Sequence, residues 1–421
     1  MSRSRKNNGR SGHFPTAIFS AEAVAAQATG GVRAVLDLLA ARRPFARRAA
    51  GMLWTSRQQR RQSIDPGGDP NTAMGGAIAR PERQARAPQQ IREFKRSKTV
   101  DFVTAIPIAR YRFVFGRGAG RLPAYTGSAW RGTFGRNLRR AACSMPATDC
   151  PECPVSEACP YSYLFESPPP PATERMRRYT TVPSPYVIEP EETFDDQTAS
   201  DAEYRLGVTL VGRGNQYLPY VVHAFAQAGR NGIGTDRVRM RLRSVERFVD
   251  GSQSCWQQVC DERGRPRIIR EQPVHVPTPP EPIVVELLTP LRLIGDGKLV
   301  RPERFVAKFL LTALIRRTAS LGYFHCGLSL PDDDQFRRLA RQAGTVDPRD
   351  LDLHWADWTR YSTRQKTAMQ MGGLVGRIVF DTEMMRPFWP FLWIGQWLHV
   401  GRGTTMGLGR YRIAEPGGEK K

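Results

Sequence analysis

The stretch Phe391-Leu-Trp-Ile-Gly-Gln-Trp-Leu-His399-Val-Gly401-Arg-Gly403-Thr-Thr-Met-Gly407-Leu-Gly409-Arg-Tyr-Arg-Ile413 decides how the chain is built. An apolar helical run leads into four glycines within nine residues, and a short strand with Arg410 and Arg412 follows. Glycines clustered this way let backbone N–H groups approach a phosphate chain with no Cβ in the way. The design occurs a second time upstream. Tyr217 to Ala228 is an apolar helical run, Gly229-Arg-Asn-Gly232-Ile-Gly234 is a glycine loop, and a strand starts at Arg237. Two copies of one helix–loop–strand unit point to a duplicated fold that binds nucleic acid.

Working outward, each copy closes a longer repeat. In the first half, Val100 to Phe115 reads as a strand with apolar points at Val103, Ile106, Ile108, Tyr111 and Phe113. Thr126 to Ala142 reads as a basic helix, with Trp130, Phe134 and Leu138 at helical spacing. A cysteine segment and the prolines from Pro168 to Pro171 interrupt the unit. Tyr204 to Val211 is a strand, and Leu218, Val221, Val222 and Phe225 mark a helix. In the second half, Ile283 to Leu293 is a strand and Arg301 to Tyr323 a long helix. Pro331 to Asp350 is a polar insertion, and strands are expected over Leu353 to Tyr361 and Leu374 to Thr382. Both halves therefore read β-α-β-β-α-β, the ferredoxin-like order that RNA-recognition modules also use. The expected class is α+β: two tandem ferredoxin-like domains, 98–272 and 283–413, joined by a Pro-rich linker at 273–282. A four-cysteine insertion at 143–165 interrupts the first, and 414–421 is a tail.

Charge narrows the partner. The chain has 421 residues and a formal net charge of +23, from 63 Lys and Arg against 40 Asp and Glu. Such an excess most often meets nucleic acid. Residues 1–97 hold 18 Lys or Arg against 6 Asp or Glu and show little strand pattern, so they read as a largely disordered basic extension. That extension is either an arm on RNA or DNA or a bare flexible segment. No apolar stretch reaches the roughly 18 residues that span a bilayer. Neither an h-region nor a cleavage site is visible. Seven cysteines, an odd number, argue against a secreted disulfide scaffold. The expected compartment is the reducing cytoplasm.

Several motifs carry chemistry. Gly401, Gly403, Gly407 and Gly409 could wrap a phosphate with help from Arg402, Thr404, Thr405 and Arg410; otherwise they make a tight helix-to-strand connection. Arg237 to Arg243 alternates Arg with Val, Met and Leu, so a strand there has one apolar and one basic face. Arg237, Arg239, Arg241 and Arg243 on that face either meet RNA or form a solvated edge. Tyr361, Arg364 and Lys366 precede a glycine pair and form another candidate RNA contact, as do Arg131 and Arg136 on the first basic helix. Cys143-x6-Cys150-x2-Cys153-x5-Cys159 puts four thiols within seventeen residues. Four thiolates can close a tetrahedral structural site, with zinc as the default metal and an iron–sulfur cluster as the alternative. Reduced, metal-free thiols are the other reading.

Five segments carry a resemblance. They are Gly127-Ser-Ala-Trp-Arg131-Gly-Thr-Phe-Gly135; the cysteine cluster; Leu288-Thr-Pro-Leu-Arg-Leu293; Arg360-Tyr-Ser-Thr-Arg-Gln365 with Gly372-Gly-Leu-Val-Gly376; and the terminal glycine loop. In this order they resemble the CRISPR precursor-RNA-processing endoribonucleases of the RAMP superfamily, in a cysteine-cluster subgroup. The resemblance spans about residues 98–413. It implies two ferredoxin-like domains, CRISPR repeat RNA as partner, and cleavage within repeats for antiviral defence without a catalytic metal. In that chemistry a ribose 2′-OH attacks the adjacent phosphate and leaves a cyclic phosphate. A base, a proton donor and positive charge at the phosphate are needed.

The family often supplies a histidine from the first helix. Thr126 to Ala142 has none; Arg131, Arg136, Arg139 and Arg140 stand there instead. Of the six histidines, His399, one residue before the glycine loop, and His325, after the long helix, are the candidate catalytic bases. A histidine capping a helix C-terminus is the alternative reading of His399. The missing first-helix histidine keeps a second function open: a non-catalytic guide-RNA-binding subunit of a CRISPR effector complex, with other effector subunits as partners. A zinc-dependent nucleic-acid-binding regulator outside CRISPR is the third.

Overall fold

Pro107 sets the first boundary of the fold, because it lacks an N–H and disfavours helix at the residue before it. In the computed structural model, α1 (Lys98–Thr104) ends just ahead of it and β1 (Ile108–Arg117) starts just after. The model describes residues 98–170, 173, 181–191, 202–249, 255–260, 274–330, 333–357, 359–362 and 367–414. The basic extension over 1–97, Arg364, Lys366 and most of the tail lie outside them. The single strand expected from Val100 to Phe115 is thus a helix and a strand. Phe102, Val103 and Ile106 do not alternate as strand residues would, and they are buried in the core of the C-terminal half.

From β1 the first half runs α2 (Gly127–Ala142), β2 (Tyr186–Pro190), β3 (Glu203–Val211), α3 (Leu218–Asn231), β4 (Met240–Val249) and β5 (Cys255–Cys260). The sheet order is β2-β3-β1-β4-β5, all antiparallel. Its first four strands have the ferredoxin-like arrangement. Tyr111, Phe113 and Phe115 of β1 point to the helix-covered face, where Phe134 of α2 stacks on Phe225 of α3 with ring centroids 4.5 Å apart. β2 and β5 were not legible as strands. The first follows a Pro-rich stretch and has only five residues. The second adds to the β4 edge beyond the repeat. The strand expected at Arg237 starts instead at Met240; Arg237 sits in the turn with φ 49°.

The second half runs β6 (Ile283–Leu291), the small hairpin β7 (Ile294–Gly295) and β8 (Lys298–Leu299), α4 (Ala307–Cys326) and α5 (Asp333–Gln342). It continues with β9 (Asp350–Ala356), β10 (Thr359–Ser362), β11 (Thr367–Gln370), β12 (Gly373–Phe380), α6 (Thr382–Met385), α7 (Trp389–Leu398) and β13 (Tyr411–Ala414). Its main sheet has the order β13-β6-β12-β9, the same arrangement as the first. Three expectations change. The polar insertion after Pro331 contains α5, because Leu339 drops into the core and Ala343 and Val346 follow it. The strand expected from Leu353 to Tyr361 splits, its second part pairing with β11 as a separate ribbon. Thr382 leaves the strand, because Asp381 caps α6 by accepting from the Glu383 N–H at 2.9 Å. No helix among the described residues is long and apolar enough to cross a membrane.

Candidate nucleic-acid interface

The glycine loop follows α7 because its backbone cannot stay helical. Gly401, Gly403, Gly407 and Gly409 all have φ between 69° and 91°. At Gly409 a Cβ would also overlap the Val400 carbonyl, whose own N–H donates to the Gly409 carbonyl at 3.1 Å. The loop is therefore a closed knot. It is packed against the first half: Tyr125 Oη donates to the Met406 carbonyl at 2.5 Å, and a Cβ on Gly407 would come 2.7 Å from the Ile188 carbonyl. Thr404, Gly407 and Gly409 are buried, and Arg402, Gly401, Gly403, Thr405 and Arg410 keep partial or full access to solvent. The loop is a joint between the halves, and only its Gly401–Thr405 side and Arg410 are open to an anion. The Gly229–Gly234 loop differs: Gly232 crowds the Arg237 backbone and turns α3 toward β4 within the same half.

At that open side two expected residues meet. Arg131, on the first helix, donates from Nε to Thr405 Oγ1 at 3.0 Å. Its guanidinium lies 4.5 Å from the Phe165 ring centroid, which holds the fork in place. The Tyr186 hydroxyl is buried beside them and makes no hydrogen bond of full geometry among the described residues. Burial pushes its pKa up, while Arg131 and Thr405 act to lower it. No sequence signal marked Tyr186; it lies on the short strand that the prolines obscured. Arg136 is exposed one turn further along α2, and Arg237, Arg239 and Arg241 are exposed around the start of β4. Tyr361 is on β10 of the separate ribbon.

The two histidines singled out as bases are interior. His399 is 0 % exposed. Its Nδ1 is 3.2 Å from the Leu408 carbonyl, and its Nε2 is 3.4 Å from Glu189 Oε1 of β2. Burial lowers its pKa, against Glu189, which raises it. His325 is 2 % exposed, at the end of α4. Its Nε2 lies 2.7 Å from the Pro183 carbonyl and its Nδ1 2.9 Å from Tyr163 Oη. A carbonyl only accepts, so Nε2–H donates to Pro183 and the neutral Nδ1 accepts from Tyr163. Both rings thus tie the C-terminal half to the first half, and neither is placed to touch an RNA 2′-OH. Sequence proximity to the loop did not reveal this, because the partners are far away in the chain. Among the described residues the exposed histidines are His275 and His354, the latter on β9.

His325 makes a pH prediction. Burial depresses its pKa to about 4, from 6.5 when free. Between those values the unfolded chain binds the extra proton, so stability is full above pH 6.5 and falls as pH drops toward 4. The expected result is a Tm drop from pH 7.5 to pH 5 that is smaller in His325→Gln than in the parent. Equal drops in differential scanning fluorimetry would refute it.

The cysteine segment gives a different picture from its spacing. Burial and nearby Glu166 raise the Cys150 pKa, Arg139 lowers it, and Cys159 and Cys143 are close enough to add to the rise. Among the described residues, however, no group of three or more His, Cys, Asp or Glu side chains is arranged to hold a metal ion. The thiols of Cys143, Cys150 and Cys159 are neighbours in this structure without forming a ligand set.

Two split β-α-β modules of identical strand order, joined through a glycine loop, define a tandem ferredoxin-like protein. Residues 285–411 match the CRISPR-associated endoribonuclease Cas6 family, and residues 106–274 match the AF_1859_N family, an N-terminal domain. An uncharacterized protein of Archaeoglobus fulgidus is 25% identical over 132 residues, which cover 31% of this chain and 43% of that one. The chain thus spans less than half the length of that relative. Among solved structures, a Cas6 product complex (TTHB231, the Thermus thermophilus protein) aligns at 14% identity and TM-score 0.44, over 73% of this chain and 99% of its own. A second Cas6 product complex (TTHA0078) aligns at 16% identity and TM-score 0.40, over 74% and 100%.

Proposed function

We propose that this chain binds CRISPR repeat RNA and cuts it without a catalytic metal. The observation that carries the reading is the Cas6 family match over 285–411. In the step proposed, the 2′-oxygen bonds to phosphorus, the bond to the 5′-oxygen breaks, and a proton passes from the 2′-OH to a base while another reaches the leaving 5′-oxygen. Arg131, fixed between Thr405 and the Phe165 ring, suits the role of holding the phosphate. Its fork can donate two parallel hydrogen bonds to phosphate oxygens. Binding would be dominated by phosphate contacts and weaken steeply with salt.

Purified protein incubated with repeat RNA in EDTA should give a 2′,3′-cyclic phosphate end. Cleavage that stops in EDTA and returns with magnesium would overturn metal independence. His325→Ala, His399→Ala and His354→Ala belong in the same assay. The buried pair should lose stability before chemistry, and His354 is the exposed strand histidine able to serve as base. A second reading is favoured by the burial of both His399 and His325: a non-catalytic guide-RNA-binding subunit that works beside other CRISPR effector subunits. Tight binding with intact RNA would select it.

Zinc on Cys143, Cys150, Cys153 and Cys159 is a separate proposal resting on spacing. One equivalent of zinc, lost in the Cys150→Ser/Cys153→Ser variant, would support it. Metal-free protein with an unchanged Tm in EDTA would overturn it.

A further inference from the structure

The helix-free face of the first sheet carries a second motif that the glycine loop does not explain. Along β1, Tyr111, Phe113 and Phe115 point to the helices and are buried, so Arg110 and Arg112 point the other way. The C-terminal half covers the β2 end of this face, through the contacts of the glycine loop with Ile188 and Glu189. At the β4–β5 end the pattern changes. The Arg110 guanidinium lies between two rings, 4.4 Å from the Phe248 centroid and 4.8 Å from that of Trp397 on α7. Arg112 lies 4.5 Å from the Trp256 centroid and pairs with Glu246. Phe248 and Trp256 sit edge-to-face with centroids 5.4 Å apart. These rings remain half-buried, whereas the aromatic rings on the helix side, such as Phe113, Trp130 and Phe225, are closed off completely.

We propose that Phe248 and Trp256, with Arg110 and Arg112, form a shelf on which unpaired nucleobases of a single-stranded RNA segment stack. Rings that serve only to fill a core are sealed; these are left partly open on an outer strand. A guanidinium against an aromatic ring adds positive charge beside the shelf, where an RNA backbone would run. The backbone of such a strand also has a charged track. Arg241 pairs with Gly116 one position from Leu242, which packs toward the helices, so Arg241 lies on this same face. An aromatic sheet surface flanked by arginines is how exposed bases are held on sheets of this fold. A duplex offers no such ligand, because neighbouring pairs already cover its base faces. The proposal rests on the RNA-binding reading above and deepens it by naming the form of RNA taken.

The test measures binding of a twelve-nucleotide adenine-rich single strand and of a blunt RNA duplex of equal length, with folding checked by thermal melting. Trp256→Ala should weaken single-strand binding about tenfold, Trp256→Phe should retain most of it, and duplex binding should stay unchanged. The salt dependence should also keep its slope, since no phosphate contact is removed. Photo-crosslinking of the unmodified protein to a single strand carrying 5-iodouridine should mark peptides containing Phe248 or Trp256; this keeps the proposal testable even if Trp256→Ala fails to fold. Wild-type binding to the single strand with no loss in Trp256→Ala, or crosslinks only elsewhere, would overturn the shelf alone. A protein that bound neither RNA form would overturn the RNA-binding reading and the shelf with it.

Discussion

Arg131→Ala should cut both binding and cleavage of repeat RNA by about a hundredfold, with little change in Tm. The argument is geometric. Arg131 is the cation of the first helix that the structure fixes against the glycine loop, 3.0 Å from Thr405 Oγ1, with Phe165 beneath it. A charge-assisted hydrogen bond to a phosphate is worth about 1.5–3 kcal/mol, and a group aimed at developing charge is worth more in the transition state. Arg131→Lys should recover only part of the loss, because an ammonium keeps the charge and loses the fork. Arg136, exposed on the same helix, supplies the control: Arg136→Ala should lower binding slightly and flatten the salt dependence by about one phosphate contact. Equal effects at the two positions would mean that the helix acts as a diffuse basic patch.

Gly127→Ala should destabilise the protein by about 3 kcal/mol, while Gly132→Ala five residues later on the same helix should leave it unchanged or slightly more stable. A Cβ at Gly127 would overlap the Met406 carbonyl and come 2.9 Å from the Tyr125 ring. Either α2 or the glycine loop must then retreat. A Cβ at Gly132 meets nothing within 4 Å, so alanine there gains helix propensity at no packing cost. Chemical denaturation of the two variants gives the comparison directly. RNA affinity should fall in Gly127→Ala as well, because the retreat separates Arg131 from Thr405. Equal stability of the two variants would show that the joint between α2 and the loop is soft.

Much of the fold was legible from residue patterns. Trp130, Phe134 and Leu138 recur at helical spacing and are all buried on α2. Ile283 to Leu291 forms a strand within the expected bounds, and the run ahead of Gly401 forms α7. These elements have local causes, so a local pattern reports them. The misreadings share one cause. Val103 and Ile106 lie just ahead of β1 but pack in the core of the other half, and Leu339 lies in a polar stretch but completes a core. Apolar period says that a residue is buried, not in which core.

The glycines, the first-helix arginines and the absence of histidine from that helix are properties of the chain as written. They were enough to propose a duplicated βαββαβ protein with a phosphate-facing loop. Tertiary structure alone decided what those residues do. It turned most of the glycine loop inward as a joint, because Met406 and Gly407 lie against Tyr125 and Ile188 of the other half. It removed His399 and His325 from solvent by setting Glu189, Tyr163 and Pro183 against them. It brought Arg131 to Thr405 across 274 positions of chain. Each of these depends on how two halves dock. Docking is set by the fit of whole surfaces, and no spacing along the sequence encodes it.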